Sequence, residues 1–114
     1  LKAGATEWGG DVLITAGNRG TYPSLTVSQQ GVVFITYNVG SGSVVDVGAV
    51  AIPFRSIQPG RETLLTQDDP NTQGIAVVTT DVTGSPWLVY FSEVPGSSAP
   101  NKVYVLRNAE IPST

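Results

Sequence analysis

Few side chains in this sequence of 114 residues are of the kinds that do chemistry, and two polar stretches group several of them. The first is Gly17–Tyr22, GNRGTY, with Asn18, Arg19 and Tyr22 close together. An aromatic face packs against the C–H groups of a sugar ring, and planar amide or guanidinium groups hydrogen-bond its hydroxyls. The second is Gln67–Gln73, with Asp68, Asp69 and Asn71. These offer hard oxygen ligands at calcium-like spacing. The EF-hand pattern is absent, however, and a turn held by Asx hydrogen bonds accounts for the same residues. The expected ligand-binding set is therefore Asn18, Arg19, Tyr22, Asp68, Asp69 and Asn71, with no metal site and no cofactor.

Catalysis is not expected. The chain holds no His and no Cys, which removes the usual general base, the usual zinc ligand and all thiolate chemistry. A Ser-His-Asp arrangement is impossible without His. Two carboxylates flanking a bond can hydrolyse a glycoside. Asp68 and Asp69 are the only acidic pair, and neighbours in a loop seldom face one substrate. The expectation is a non-enzymatic protein.

Composition narrows the partners. Six Lys plus Arg stand against nine Asp plus Glu, so no basic patch is available to neutralise nucleic-acid phosphates. No apolar run approaches the roughly 20 residues that a membrane-crossing helix needs. Charged residues make up only 13% and apolar residues 40%, the balance of a β-rich folded chain and not of a disordered one. A chain that starts at Leu1 and contains no Met is expected to be a processed product or an excised segment. With its Ser, Thr and Gly content, an extracellular or virion-associated location is expected.

The elements that must position the two polar stretches are strands. In Pro23–Ser28, Leu25 and Val27 alternate with Ser24, Thr26 and Ser28, the period of a half-buried strand. Gln29-Gln30-Gly31 is a turn, and Val32–Val39 continues as a β-branched and aromatic strand. Much of this recurs. Leu13-Ile14-Thr15 returns as Leu64-Leu65-Thr66, the strand Pro23–Ser28 as Gly74–Thr80, and Phe34-Ile35-Thr36-Tyr37 as Trp87-Leu88-Val89-Tyr90. The offset drifts from 51 to 53 residues, which a second turn longer by two explains.

One domain over residues 1–114 is expected, with an internal repeat at about 13–66 and 64–111. Further strands are expected at Asp11–Ala16, Ser43–Ile52, Glu62–Gln67, Trp87–Val94 and Lys102–Ile111, and no helix. Val45, Val47, Ala49 and Ala51 share one strand face. A repeat near fifty residues filled by about four strands predicts two propeller-like, four-stranded antiparallel blades, the second lacking its fourth strand. The first strand of the chain is free to fill that gap. The alternative fold is a self-contained antiparallel sandwich or barrel. Strand order places four loops at one end: Gly17–Tyr22, Asn38–Ser43, Gln67–Gln73 and Pro95–Asn101. Trp8, Trp87, Tyr37, Tyr90 and Tyr104 are expected to pack between sheets.

The run Pro-Ser-Leu-Thr-Val, Gly31 and Phe-Ile-Thr-Tyr resembles the inner hairpin of sialidase-like and lectin-type β-propellers. The resemblance covers Pro23–Tyr37 and, loosely, Gly74–Tyr90, and it is one of structure. Thr79–Trp87 is similar to the Asp-box turn of sialidases, but has one residue too many between Asp81 and Gly84 and falls on a different turn, so it reads as an ordinary Asx/Gly turn. A sialidase site also implies an arginine triad with a Tyr/Glu pair, which Arg19, Arg55, Arg61 and Arg107 do not match.

Two blades cannot close a ring, so the resemblance implies a homo-oligomer or a place in a larger assembly. The expected function is carbohydrate binding by a lectin-like module. A virion structural protein, such as a capsid decoration or tail component, is the alternative, and a glycosidase fragment comes last.

Overall fold

The structure, a computed structural model, describes residues 13–15, 20–41, 44–66, 72–93 and 102–113. These are all-β, with no helix among the described residues. Seven strands follow in chain order: β1 (Thr21–Val27), β2 (Val33–Ser41), β3 (Val44–Ile52), β4 (Thr63–Leu64), β5 (Thr72–Thr80), β6 (Pro86–Glu93) and β7 (Lys102–Leu106). Among the described residues they form a four-stranded sheet, β1-β2-β3-β4, and a sheet of which three strands, β5-β6-β7, are described, each antiparallel.

The β1–β2 and β5–β6 hairpins are copies of one another. Ser28 N–H donates to Val32 O at 2.9 Å, and Gly31 N–H to Ser28 O at 2.9 Å. The counterparts 53 residues on are Asp81 N–H to Ser85 O and Gly84 N–H to Asp81 O, both at 3.0 Å. A side chain closes each turn: Ser28 Oγ accepts Val32 N–H at 3.1 Å, and Asp81 Oδ1 accepts Ser85 N–H at 3.1 Å. Gly31 and Gly84 sit at φ 83° and 87°, where a side chain would be strained, and this sends the chain back along its partner strand.

The ladders match as well. Leu25↔Ile35 and Thr26↔Phe34 recur as Val78↔Leu88 and Thr79↔Trp87. Even the register shift recurs, between Thr21 and Ser24 in one hairpin and between Gly74 and Val77 in the other.

This equivalence corrects the expected source of the drift. The two turns are equally long. The two extra residues fall between Thr66 and Gly74, before the second hairpin.

The sheets meet on one face each. β5 runs across the first sheet, close to β1, β2 and β3. Phe34, Val47 and Ala51 pack there with Ala76, Val78, Leu88 and Ala109, and with the partly buried Leu65, Tyr90, Leu106 and Ile111. Leu88 is 1% exposed, and burying such a side chain is worth about 1.5–3 kcal/mol. A second cluster, on the other face of the first sheet, joins Ile35, Tyr37, Val39 and Val50 with Ile14, Val33, Ile52 and Leu64. β2 and β3 are therefore buried on both sides, which is why β3 reads as a nearly continuous apolar run. Val47, Ala49 and Ala51 do share one buried face as expected, and Val50 is buried on the opposite one.

Several expectations are corrected. In β1 the polar side, Ser24 and Thr26, is the partly buried one, while Leu25 and Val27 are 60% and 54% exposed. The reason is β5: Ser24 Oγ accepts Val78 N–H at 3.2 Å, so the hydroxyl face is the one covered. The strand expected at Glu62–Gln67 shrinks to Thr63–Leu64, because Thr66 Oγ1 takes the Val47 N–H at 3.0 Å in place of a backbone carbonyl. Leu13, Ile14 and Thr15 are in no strand.

The strand expected at Lys102–Ile111 ends at Leu106, before Asn108 turns the chain at φ 54°. Ala109 N–H then donates to Pro86 O at 3.0 Å, and Ala109 is buried in the core. Tyr37 is buried, but in the cluster on the far face of the first sheet and not between the sheets, and it donates its hydroxyl to Glu62 Oε2 at 2.6 Å. Tyr90 and Tyr104 stack at 5.8 Å between centroids. Trp8 lies outside the described residues.

Candidate functional site

Of the expected ligand-binding residues, Asn18, Arg19, Asp68, Asp69 and Asn71 lie outside the described residues. Tyr22 is described: it sits within β1 and not in the preceding loop, at φ 51°, and is 62% exposed. It lies inside the register shift between Thr21 and Ser24, which lifts it out of the ladder.

The described residues bring a different set together at the opposite end of the second sheet. Asp81, Ser85, Trp87, Arg107 and Asn108 line an open depression of about 420 Å³. Two chain segments build it. The β5–β6 turn supplies Asp81 and Ser85 and leads into Trp87 on β6. The residues just past β7 supply Arg107 and Asn108. Leu88 pairs with Leu106, so antiparallel register sets Arg107 beside Trp87. Its guanidinium carbon stands 5.9 Å from the indole ring centroid, within cation–π range. Asn108, in the left-handed region, turns the chain at the rim.

Asp81 organises the turn. Its Oδ1 accepts from Thr83 Oγ1 at 2.6 Å, from Thr83 N–H at 2.9 Å and from Ser85 N–H at 3.1 Å. Its Oδ2 accepts the indole N–H of Trp87 at 3.0 Å, which fixes the ring. The Thr83 hydroxyl, then the Trp87 indole, then the turn amides hold the carboxyl down to about 2, against a desolvation that raises it. At neutral pH this group is a carboxylate with its oxygens engaged, and it has no proton to give as a general acid.

Ser85 lacks an activating imidazole, since the chain has no His. The depression presents an indole face beside a guanidinium, a carboxamide and a hydroxyl. That combination suits a polyhydroxylated ring.

Two of these five positions were visible from sequence as a turn, Asp81 and Ser85, and Trp87 was expected to pack between sheets. Trp87 is instead only partly buried and forms part of the depression's lining. Arg107 and Asn108 carry no motif. Their one sequence signal is that Arg107 closes an apolar run, and its partner across the sheet depends on the register.

In comparisons with known proteins, no family model matches the chain, and neither a curated protein nor a solved structure matches it significantly. Fold and site together define an all-β, two-sheet protein with an aromatic-lined depression at one end of its second sheet.

Proposed function

We propose that the chain is a non-enzymatic carbohydrate-binding module, lectin-like in its mode of recognition, with its sugar site in the depression at Trp87. The observation that carries this reading is the pairing of a fixed, partly exposed indole with Arg107, Asn108 and Ser85 around about 420 Å³ of open space. That volume is in the range of small-molecule sites.

A glycan screen followed by titration calorimetry tests it. Arg107→Ala and Trp87→Ala are each expected to weaken binding at least tenfold, with unchanged circular dichroism for Arg107→Ala, whose side chain is exposed. The reading fails if no glycan binds, or if both variants bind as the parent does. Loss on Tyr22→Ala with both variants unaffected would move the site to the Asn18–Tyr22 loop.

A second reading is a structural component of a larger particle, such as a virion decoration or tail protein. Exposed apolar side chains on the outer face of the second sheet favour it. Specific attachment to a particle without glycan binding would establish it over the first. Both readings fit an extracellular or virion-associated place.

A further inference from the structure

The repeat relates a covered face to an open one. On the first sheet, the face under β5 is made of three cross-strand rows: Thr26–Phe34–Ala51, Ser24–Thr36–Ala49 and Thr21–Asn38–Val47. Phe34, Thr36, Asn38, Val47, Ala49 and Ala51 are all at most 8% exposed. The counterpart rows on the second sheet are Thr79–Trp87, with Arg107 beside the ring just past β7, Val77–Val89–Val105 and Gly74–Phe91–Val103. Their valines stand open: Val77 is 59% exposed, Val89 46%, Val105 58% and Val103 69%.

The covering strand has an open counterpart as well. β5 is the repeat equivalent of β1. Val78 of β5 is 4% exposed in the sheet–sheet core, whereas Leu25, at the same position of β1, is 60% exposed, and Val27 beside it 54%. One molecule thus carries an open copy of the covered face and, along β1 alone, an open copy of the covering strand; Ile35, the counterpart of Leu88, is already buried on the first sheet. Among the described residues β1 is an edge strand, as β5 is.

We propose that a second copy of this chain docks on the outer face of the second sheet, laying its β1 across Val77, Val89, Val103 and Val105 as β5 lies across the first sheet. The occupant follows from continuity with the internal interface: the open face is the repeat of a face whose partner is a β5-type strand, and β1 is the exposed strand of that type. Such a contact is heterologous, since the two surfaces differ, so one molecule uses one surface on each neighbour. This inference does not rest on the sugar site; Trp87 is the counterpart of the covered Phe34, so a copy docked in this way and a sugar at Trp87 exclude one another.

Light scattering on a sizing column tests it with the full chain. The parent is expected to run well above the 11.9 kDa of one copy. Val89→Glu and Leu25→Glu, both at exposed positions, are each expected to run as monomers. Mixed one to one, they are expected to give a species of twice the monomer mass, because each variant keeps the surface that the other has lost. Circular dichroism checks the fold, and Val105→Lys with Val27→Lys replaces any variant that fails to fold.

A parent that stays monomeric at its highest soluble concentration overturns the proposal, including when the same face binds another protein. So does a mixture that stays monomeric. Association abolished by Val89→Glu but untouched by Leu25→Glu also overturns it, and indicates two outer faces packed symmetrically.

Discussion

The indole N–H of Trp87 donates to Asp81 Oδ2 at 3.0 Å, joining the turn between β5 and β6 to a ring on the outer face of the sheet. Asp81 stands where Ser28 stands in the first hairpin, and each closes its turn by accepting the amide four residues on. Only the carboxylate has a second oxygen for an indole. One substitution within a repeated turn therefore separates a plain hairpin from one that fixes an aromatic ring beside Arg107.

Acid should loosen that end of the molecule. The folded state holds the Asp81 carboxyl down to about 2 from 3.8, so its contribution to stability is complete above about pH 4 and is lost as pH falls toward 2. Trp87 fluorescence followed through this window is expected to titrate. In Asp81→Asn the transition should disappear, since the amide does not ionise. A carboxyl midpoint at or above 3.8, read by NMR, would contradict the geometry.

One position of the repeat should behave in opposite ways in its two copies. Val78→Ala removes buried methyl groups from the sheet–sheet core and is expected to destabilise by about 2 kcal/mol. Leu25→Ala, at the matching site of β1, removes more atoms but from a side chain 60% exposed, and should fall within about 0.5 kcal/mol of the parent. Urea unfolding of both at low protein concentration, where copies do not associate, provides the comparison. Equal losses would mean that β1 is covered within the monomer.

Thr36 offers a stabilising change. It is fully buried beneath β5, and its Oγ1 has no hydrogen-bond partner. A buried polar atom left in this state costs about 1–3 kcal/mol. Its counterpart in the second hairpin is Val89, so the second copy of the ladder already carries valine at this position. Thr36→Val is expected to raise stability by about 1 kcal/mol, seen as a higher urea midpoint with an unchanged slope. A fall of that size would show that the hydroxyl is satisfied.

Gly74 is required by Phe91. The two are cross-strand partners, and a Cβ at Gly74 would collide with the Phe91 ring. Gly74→Ala is expected to destabilise by about 1–3 kcal/mol through overpacking. Adding Phe91→Leu should restore a good part of this loss. Double-mutant thermal melts check the coupling, and additive losses would disprove it.

Much of this architecture was legible in the residues. The alternation in β1, the Gly-bearing turns and the return of Phe-Ile-Thr-Tyr as Trp-Leu-Val-Tyr marked two related hairpins, because turn chemistry and a period of two are local properties. The strand order of the first sheet followed from chain order for the same reason. The boundaries of β4 and β7 did not. β4 is cut short by a hydroxyl of Thr66 acting at Val47, and β7 ends where Asn108 turns so that Ala109 can reach Pro86.

Of the expected sugar-binding set, only Tyr22 falls on described residues, and it lies in a bulged strand. The depression at Trp87 was hidden because its two halves are some twenty residues apart in the chain. Their meeting depends on the β6–β7 register, which lies across a long connection and leaves no local mark.

By itself the sequence determined what proximity along the chain controls. It set an all-β chain, two copies of one hairpin, the positions of the turns, and the absence of imidazole and thiol. Tertiary structure decided which face of each hairpin is covered. Alternation along β1 pointed to the Leu25/Val27 side, yet β5 crosses the Ser24/Thr26 side, where a hydroxyl accepts its edge amide. The pattern of a strand names two faces, and only the element packed against it selects the buried one.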